Sequence, residues 1–308
     1  MTESVTGLRH KIDSAQELES VVRSMKTIAS SSIGQYEQAV LSLDDYYRTV
    51  QLGLVACAQQ GLLFSSHRAP NHLPSNHSST NYQSKPQNIG IIAFGSDQGL
   101  VGQFNEVMVD YLVETLASLP GNKTLWVVGE RLQARLVDTP LMLETGFLLP
   151  NSIHAITTLV SNVLIKLEAQ LDQGLIDQVY LFHHRPQAGV LAVSNPHQLT
   201  HQQLLPLDAQ WQANLASKQW PTNNLPEIMF NQQQTVSALI REYLFVSIFR
   251  ACAESLASEN ASRLAAMQRA EKNIEELQEN LNRRYHRLRQ SDIDEELFDV
   301  LSGYEAWN

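Results

Sequence analysis

The chain has 308 residues, and its formal net charge of −10, from 22 Lys+Arg against 32 Asp+Glu, argues against broad nucleic-acid binding while leaving room for a local basic patch. Hydrophobic residues make up 43% of it, enough for a core, and no apolar run reaches the roughly 20 residues that a membrane span requires. The polar N-terminus has no apolar core region, so no secretory signal is expected.

Residues 1 to 63 contain no proline and read as one helix. Leu8, Ile12, Ala15, Val22, Met25 and Ala29 begin a stripe at threes and fours that Ile33, Tyr36, Val40, Leu43 and Tyr47 continue, drifting as a coiled-coil seam does. Gly34 and Gly53 interrupt it at a cost of about 1 kcal/mol each relative to alanine. Residues 64 to 87 are rich in Ser, Asn, His and Pro and predict a mobile loop. His67, His72 and His77 lie there without a helix to align them, which speaks against a metal site.

Residues 88 to 225 change texture. Asn88 to Phe94 (NIGIIAF) predicts a buried strand, Asn105 to Leu119 a helix, Thr124 to Val128 a second strand and Gly129 to Leu136 a helix start. An amphipathic helix over Ile153 to Leu171 and a third strand over Gln178 to His183 follow. Strands alternating with helices in this way predict a small Rossmann-like α/β domain with a largely parallel sheet. After the first strand stands a glycine-containing turn, Gly95 to Gly102, at the place where phosphates often bind. Its spacing is neither GxGxxG nor a P-loop, so the glycines read as backbone devices and no cofactor is expected. His183 and His184 follow the third strand beside Arg185, but no carboxylate or nucleophile can be paired with them from sequence. They read as one inward and one outward imidazole. Cys57 and Cys252 lack metal-ligand spacing and read as buried small side chains.

From Asn231 to Ser302 there is neither proline nor glycine, and apolar residues return at threes and fours. One helix over that stretch would be roughly 100 Å long, whereas a compact globule of this chain length is only about 50 Å across. Such a helix needs a partner for its apolar stripe, and the N-terminal helix offers one. The seam reads Met267, Ala270, Ile274, Leu277, Leu281 and Leu288, with Arg284 interrupting it and a register slip of about one residue between Leu256 and Met267. The predicted architecture is therefore an α/β domain carried on a long antiparallel two-helix coiled coil, residues 1–63 with 231–308. Arg283, Arg284, Arg287 and Arg289, with His286, lie too far from the helix end for its dipole to explain them. They are expected to meet acidic loops of a partner.

Leu8-Arg9-His10-Lys11-Ile12-Asp13-Ser14-Ala15-Gln16, continuing to Ser24-Met25-Lys26-Thr27-Ile28-Ala29-Ser30, resembles the opening helix of the gamma subunit of rotary F-type ATP synthases. Glu254 to Met267 (ESLASENASRLAAM) is similar to that family's most recognisable segment, and Gln203 to Leu207 and Leu301 to Gly303 also fit. The resemblance covers nearly the whole chain. It implies a non-catalytic central-stalk rotor that couples ion translocation to ATP synthesis or hydrolysis. The implied partners are a hexamer of alpha and beta subunits, the epsilon subunit and a membrane ring of c subunits. The implied location is the cytoplasmic face of the inner or plasma membrane, or the organellar equivalent, where the chain is held peripherally through the complex.

Residue by residue, the resemblance implies that Arg263 and Gln290 contact loops of the hexamer and that Met25 lies near a beta-subunit lever. The family threonine that partners the glutamine is replaced by Asp294. The family pattern Asp-Arg-Gly-Leu-Cys-Gly-Gly-Leu-Asn stands here as Asp97-Gln98-Gly99-Leu100-Val101-Gly102-Gln103-Phe104-Asn105, which marks a divergent branch. Without the resemblance, the residues leave a second class open, a free-standing coiled-coil adaptor whose α/β domain binds a ligand or protein.

Overall fold

The computed structural model describes residues 4–60, 62, 88–187, 197–207 and 231–305, with isolated positions between 213 and 227; the expected 64–87 loop and its three histidines lie outside the described residues. In chain order the elements are α1 (Val5–Gln59), β1 (Asn88–Phe94), α2 (Phe104–Ala117), β2 (Asn122–Val128) and α3 (Glu130–Leu136). Then come β3 (Met142–Phe147), α4 (Ile153–Asp172), β4 (Gln178–Pro186), β5 (His197–Leu205) and α5 (Gln232–Glu305). Two compact units divide the chain, one of Met1–Ser31 with Arg263–Asn308 and one of Ser32–Ser262. The division falls inside α1 and α5, each of which runs unbroken through both units.

In the larger unit the strands form one sheet in the order β3-β2-β1-β4-β5. The first four are mutually parallel, and β5 returns antiparallel along β4. Alternation along β1 shows how both faces are covered, because successive side chains point to opposite sides. Ile89, Ile91 and Ala93 pack with Met108, Leu112 and Leu116 of α2 and with Leu132 and Leu136 of α3. Ile92 and Phe94 join the opposite core, where Val160, Val163 and Leu167 of α4 meet Leu54 of α1 and Leu244 and Ile248 of α5. Both β3 and β5 were absent from the sequence expectation. They are edge strands, each covered too little to need an apolar run: β3 alternates exposed and half-buried positions, and β5 reads His-Gln-Leu-Thr-His-Gln-Gln-Leu-Leu.

Among the described residues, the smaller unit is built from the ends of α1 and α5. Its hydrogen bonds join Gln278 to Glu19 and both Arg23 and Lys26 to Glu271, so the helices run antiparallel. Along α1 a series alternating by four and three runs through the buried or half-buried Leu8, Ile12, Ala15, Glu19, Val22, Lys26 and Ala29, with Met25 half-buried beside Lys26. On α5 the corresponding positions are Met267, Glu271, Ile274, Gln278, Leu281, Tyr285 and Leu288. The spacing is that of a heptad, and it departs from the expected seam at three points, the first being Glu271, which shares its place with the also half-buried Ala270. Leu277 is half exposed, its expected place taken by Gln278, and Arg284 lies on the exposed surface while Tyr285 fills the seam. The expected slip between Leu256 and Met267 begins inside a stretch that presents no single stripe. All ten residues from Ala251 to Asn260 are buried, so the helix is covered on every side and no single stripe exists there.

Candidate functional site

The glycine turn after β1 is occupied by the chain itself. Asp97 accepts hydrogen bonds from the Glu130 amide at the start of α3 (2.8 Å) and from the Leu149 amide (2.8 Å), fastening two other connections to this turn. Asn105 Oδ1 accepts from the Ser96 amide at 3.0 Å, and Asn105 Nδ2 donates to Ser96 Oγ at 2.8 Å. Gly95 is required by space, since a Cβ there would lie 2.2 Å from the Leu132 Cβ. Gly129 is required by conformation, with φ of 120° and backbone atoms of residues 95 and 96 about its Cα. Gly95 within the turn and Gly129 outside it are thus fixed by packing and by backbone conformation.

His183 and His184 differ from expectation in that both are buried, because both faces of the sheet are covered. His184 stacks on Phe104 with ring centroids 3.7 Å apart and meets His197 edge-on at 4.5 Å. Burial, with His197 and His183 nearby, holds its imidazole well below the usual histidine range, and burial lowers His197 to about 4. On the other side of β4, His183 finds the carboxylate that the sequence could not pair with it. Its Nε2 donates to Glu254 Oε2 at 3.0 Å, a direction fixed by the carboxylate being an acceptor only. Arg250 Nε donates to Glu254 Oε1 at 2.9 Å and Arg250 reaches Asp44 of α1 at 3.3 Å, while Arg185 stands 3.7 Å from Glu254.

Burial pushes the Glu254 carboxyl upward, but hydrogen bonds from His183 and Arg250 and the nearby charge of Arg185 outweigh it and hold it below the usual carboxylate range. The group borders a cavity of about 200 Å³, also lined by Tyr47, Gln202 and Ser247. A carboxylate held charged by three partners is a poor proton acceptor. The arrangement works as a tie joining β4 to α5 and, through Arg250, to α1. Cys57 and Cys252 are buried as expected, with burial pushing both thiols up.

Every residue expected to contact a partner lies in the smaller unit. Met25 is half-buried on α1, next to the ion-paired Lys26, and Arg263 is half-buried on α5. Arg283, Arg284, Arg287 and Arg289 are exposed, as are Gln290 and Asp294. Past Leu288 the seam positions become Asp292, Glu295 and Asp299. The apolar stripe there moves to another face, where Ile293, Leu297, Phe298, Val300 and Leu301 are all at least half exposed. The seam read from the sequence ended at Leu288, and this change of face emerges only from the register of the pair. No helix among the described residues is long and apolar enough to cross a membrane.

A sequence model of the family described as ATP synthase matches residues 4–307. The ATP synthase gamma chain of Granulibacter bethesdensis is 28% identical over 313 residues, covering 98% of this chain and 99% of the relative. That of Brevibacillus brevis is 22% identical over 311 residues, covering 99% of each. Among solved structures, the rotor of the Euglena gracilis mitochondrial ATP synthase aligns with a TM-score of 0.62 at 16% identity, over 94% of this chain and 98% of that one. The central stalk and c-ring structure of the Tetrahymena thermophila mitochondrial ATP synthase aligns at 0.53 and 19%, over 81% and 99%. The fold, in which two long helices precede and follow a mixed five-stranded sheet in the sequence, is thus similar to those structures, and with gamma chains matched along their full length the chain belongs to the ATP synthase gamma-chain family.

Proposed function

We propose that this chain is the central-stalk rotor of an F-type ATP synthase, turning within a catalytic hexamer of alpha and beta subunits and carrying torque between it and a membrane ring of c subunits. It holds no catalytic centre of its own. The chemistry resides in the beta subunits, and the epsilon subunit and the c-ring bear on the α/β domain. The chain is peripheral to the membrane, on the cytoplasmic face of the inner or plasma membrane.

The observation that carries this reading is the change of face at the end of α5. In the register set by Glu19 with Gln278, α1 extends only to about the level of Asp292, so beyond that point α5 has no α1 alongside it among the described residues. Phe298 and Val300 are nevertheless 70% exposed. An apolar stripe on a helix in water calls for a cover, and a surrounding hexamer provides one. Just before it, Arg283, Arg287 and Arg289 project from a chain whose net charge is −10, a local cationic surface suited to acidic loops. Met25, Arg263, Arg284, Gln290 and Asp294 complete the proposed contact set.

Copurification tests the assignment. A tagged chain recovered from its host membranes should bring down alpha- and beta-type nucleotide-binding subunits in fixed stoichiometry, with ATPase activity in the recovered complex and none in the isolated chain. Recovery of the chain alone under conditions that preserve such complexes would reject it.

A further inference from the structure

The heptad of the smaller unit contains charged and polar residues where a seam ordinarily holds apolar ones. Glu19 and Lys26 are half-buried in the α1 seam, and Glu271 and Gln278 are half-buried in the α5 seam. Gln278 donates to Glu19 at 2.9 Å, and Lys26 donates to Glu271. The pairs lie seven residues apart on each helix, so they occupy successive polar layers of one antiparallel register. Arg23 joins them, ion-paired to Glu19 on its own helix and hydrogen-bonded to Glu271 at 3.3 Å across the pair.

We infer that these paired layers are a register lock, positioning α1 and α5 against each other so that only one axial alignment of the two helices satisfies every seam charge. The alternatives can be written out. Sliding α5 by one heptad in one direction sets Glu271 against Glu19, two carboxylates, and Lys26 against Leu264. Sliding it the other way sets Lys26 against Gln278 and Glu19 against Tyr285, while Glu271 loses both its cations. A shift of half a heptad places Glu19 and Lys26 opposite Ile274 and Met267. The apolar seam positions discriminate poorly among these alignments, because one apolar layer resembles the next; polar residues at seam positions specify register at a cost in stability. The lock does not depend on the rotor reading. In a rotor it would keep the two helices from creeping past each other under load.

The test uses the full chain, with Cys57→Ala and Cys252→Ala, spin-labelled at Ser14→Cys and Gln268→Cys, two exposed positions about 20 Å apart along the axis in the native register. Electron-electron resonance should give one narrow distance for the native seam and for Lys26→Arg. Replacing all four layer residues with leucine should leave helix content unchanged and add a second population displaced by about 10 Å, the rise of seven residues. Moving the acid by one heptad, Glu271→Leu with Gln278→Glu, should favour the shifted alignment, in which the new acid faces Lys26. A single native distance in both variants would overturn the lock; a displaced population in either supports it.

Discussion

Removing the Glu254 carboxylate should be among the costliest single changes in the larger unit. Glu254 is 6% exposed, with His183 at 7%. Truncation by Glu254→Ala leaves the His183 donor unpaired and Arg250 with Asp44 alone. Breaking a buried pair by removing one partner costs about 3–5 kcal/mol. Arg185 is half exposed and Arg250 about a third, which places the expectation near 3 kcal/mol, since solvent screens exposed partners. For a unit of this size that is a fall of roughly 6–12 °C in melting temperature at pH 7. Glu254→Gln keeps the shape and part of the hydrogen bonding and should cost about 1.5 kcal/mol. The folded carboxyl titrates below its ordinary range, so its stabilisation is complete above the unfolded value of about 4.3 and disappears as pH falls through the lower folded value. Calorimetric melts of wild type and Glu254→Gln should therefore converge in acid. A melting temperature for Glu254→Ala within about 2 °C of wild type at pH 7 would refute the tie.

The buried histidines should make the same unit acid-sensitive at milder pH. His184 and His197 are held neutral in the folded chain, so stability is full above the unfolded value of about 6.5 and declines as pH falls toward about 4; His197→Gln should flatten that decline in melts recorded between those values. Gly129→Ala, at φ of 120° with a Cβ 2.9 Å from backbone atoms, should destabilise by about 1–3 kcal/mol in urea titration, and a neutral result would show that the turn relaxes. Arg263→Ala and Gln290→Ala should leave the melting temperature of the isolated chain within a few degrees of wild type but lower ATP turnover or coupling in the complex. Asp294→Thr, which restores the family side chain, should not lower turnover. A large loss of melting temperature in both alanine variants would assign these residues to internal structure.

The legible parts of the sequence were those where burial is one-sided or complete. β1 stood out because both of its faces are covered, and the long helices because a seam imposes one period. β3 and β5 were invisible since edge strands need few apolar residues. Leu277 misled because its hydropathy favours the seam, whereas the heptad requires the next residue, Gln278, whose polarity is satisfied by a glutamate in another part of the chain. Of the Glu254 tie only the Arg250 pair, four residues away on the same helix, is local; His183 lies 71 residues from Glu254 on β4, and Asp44 on α1 lies 206 residues from Arg250. Of the contact residues of α5, the arginine cluster Arg283, Arg284, Arg287 and Arg289 was legible as surplus positive charge far from the helix end, whereas only the family resemblance pointed to Arg263 and Gln290.

Rotation is the central claim, and a reversible covalent tie tests it most directly. A cysteine placed on the exposed face of α5 near Gln290, with Cys57 and Cys252 replaced, should form a disulfide with a cysteine on a facing beta-subunit loop in the assembled complex. Steady-state ATP hydrolysis should fall sharply on oxidation and recover on reduction, because each catalytic cycle requires the motion that the bond forbids. A second bridge near Met25, lower on the helix pair, should behave the same way. Cross-links formed in high yield at both sites that left turnover and ion coupling unchanged would contradict the rotor mechanism.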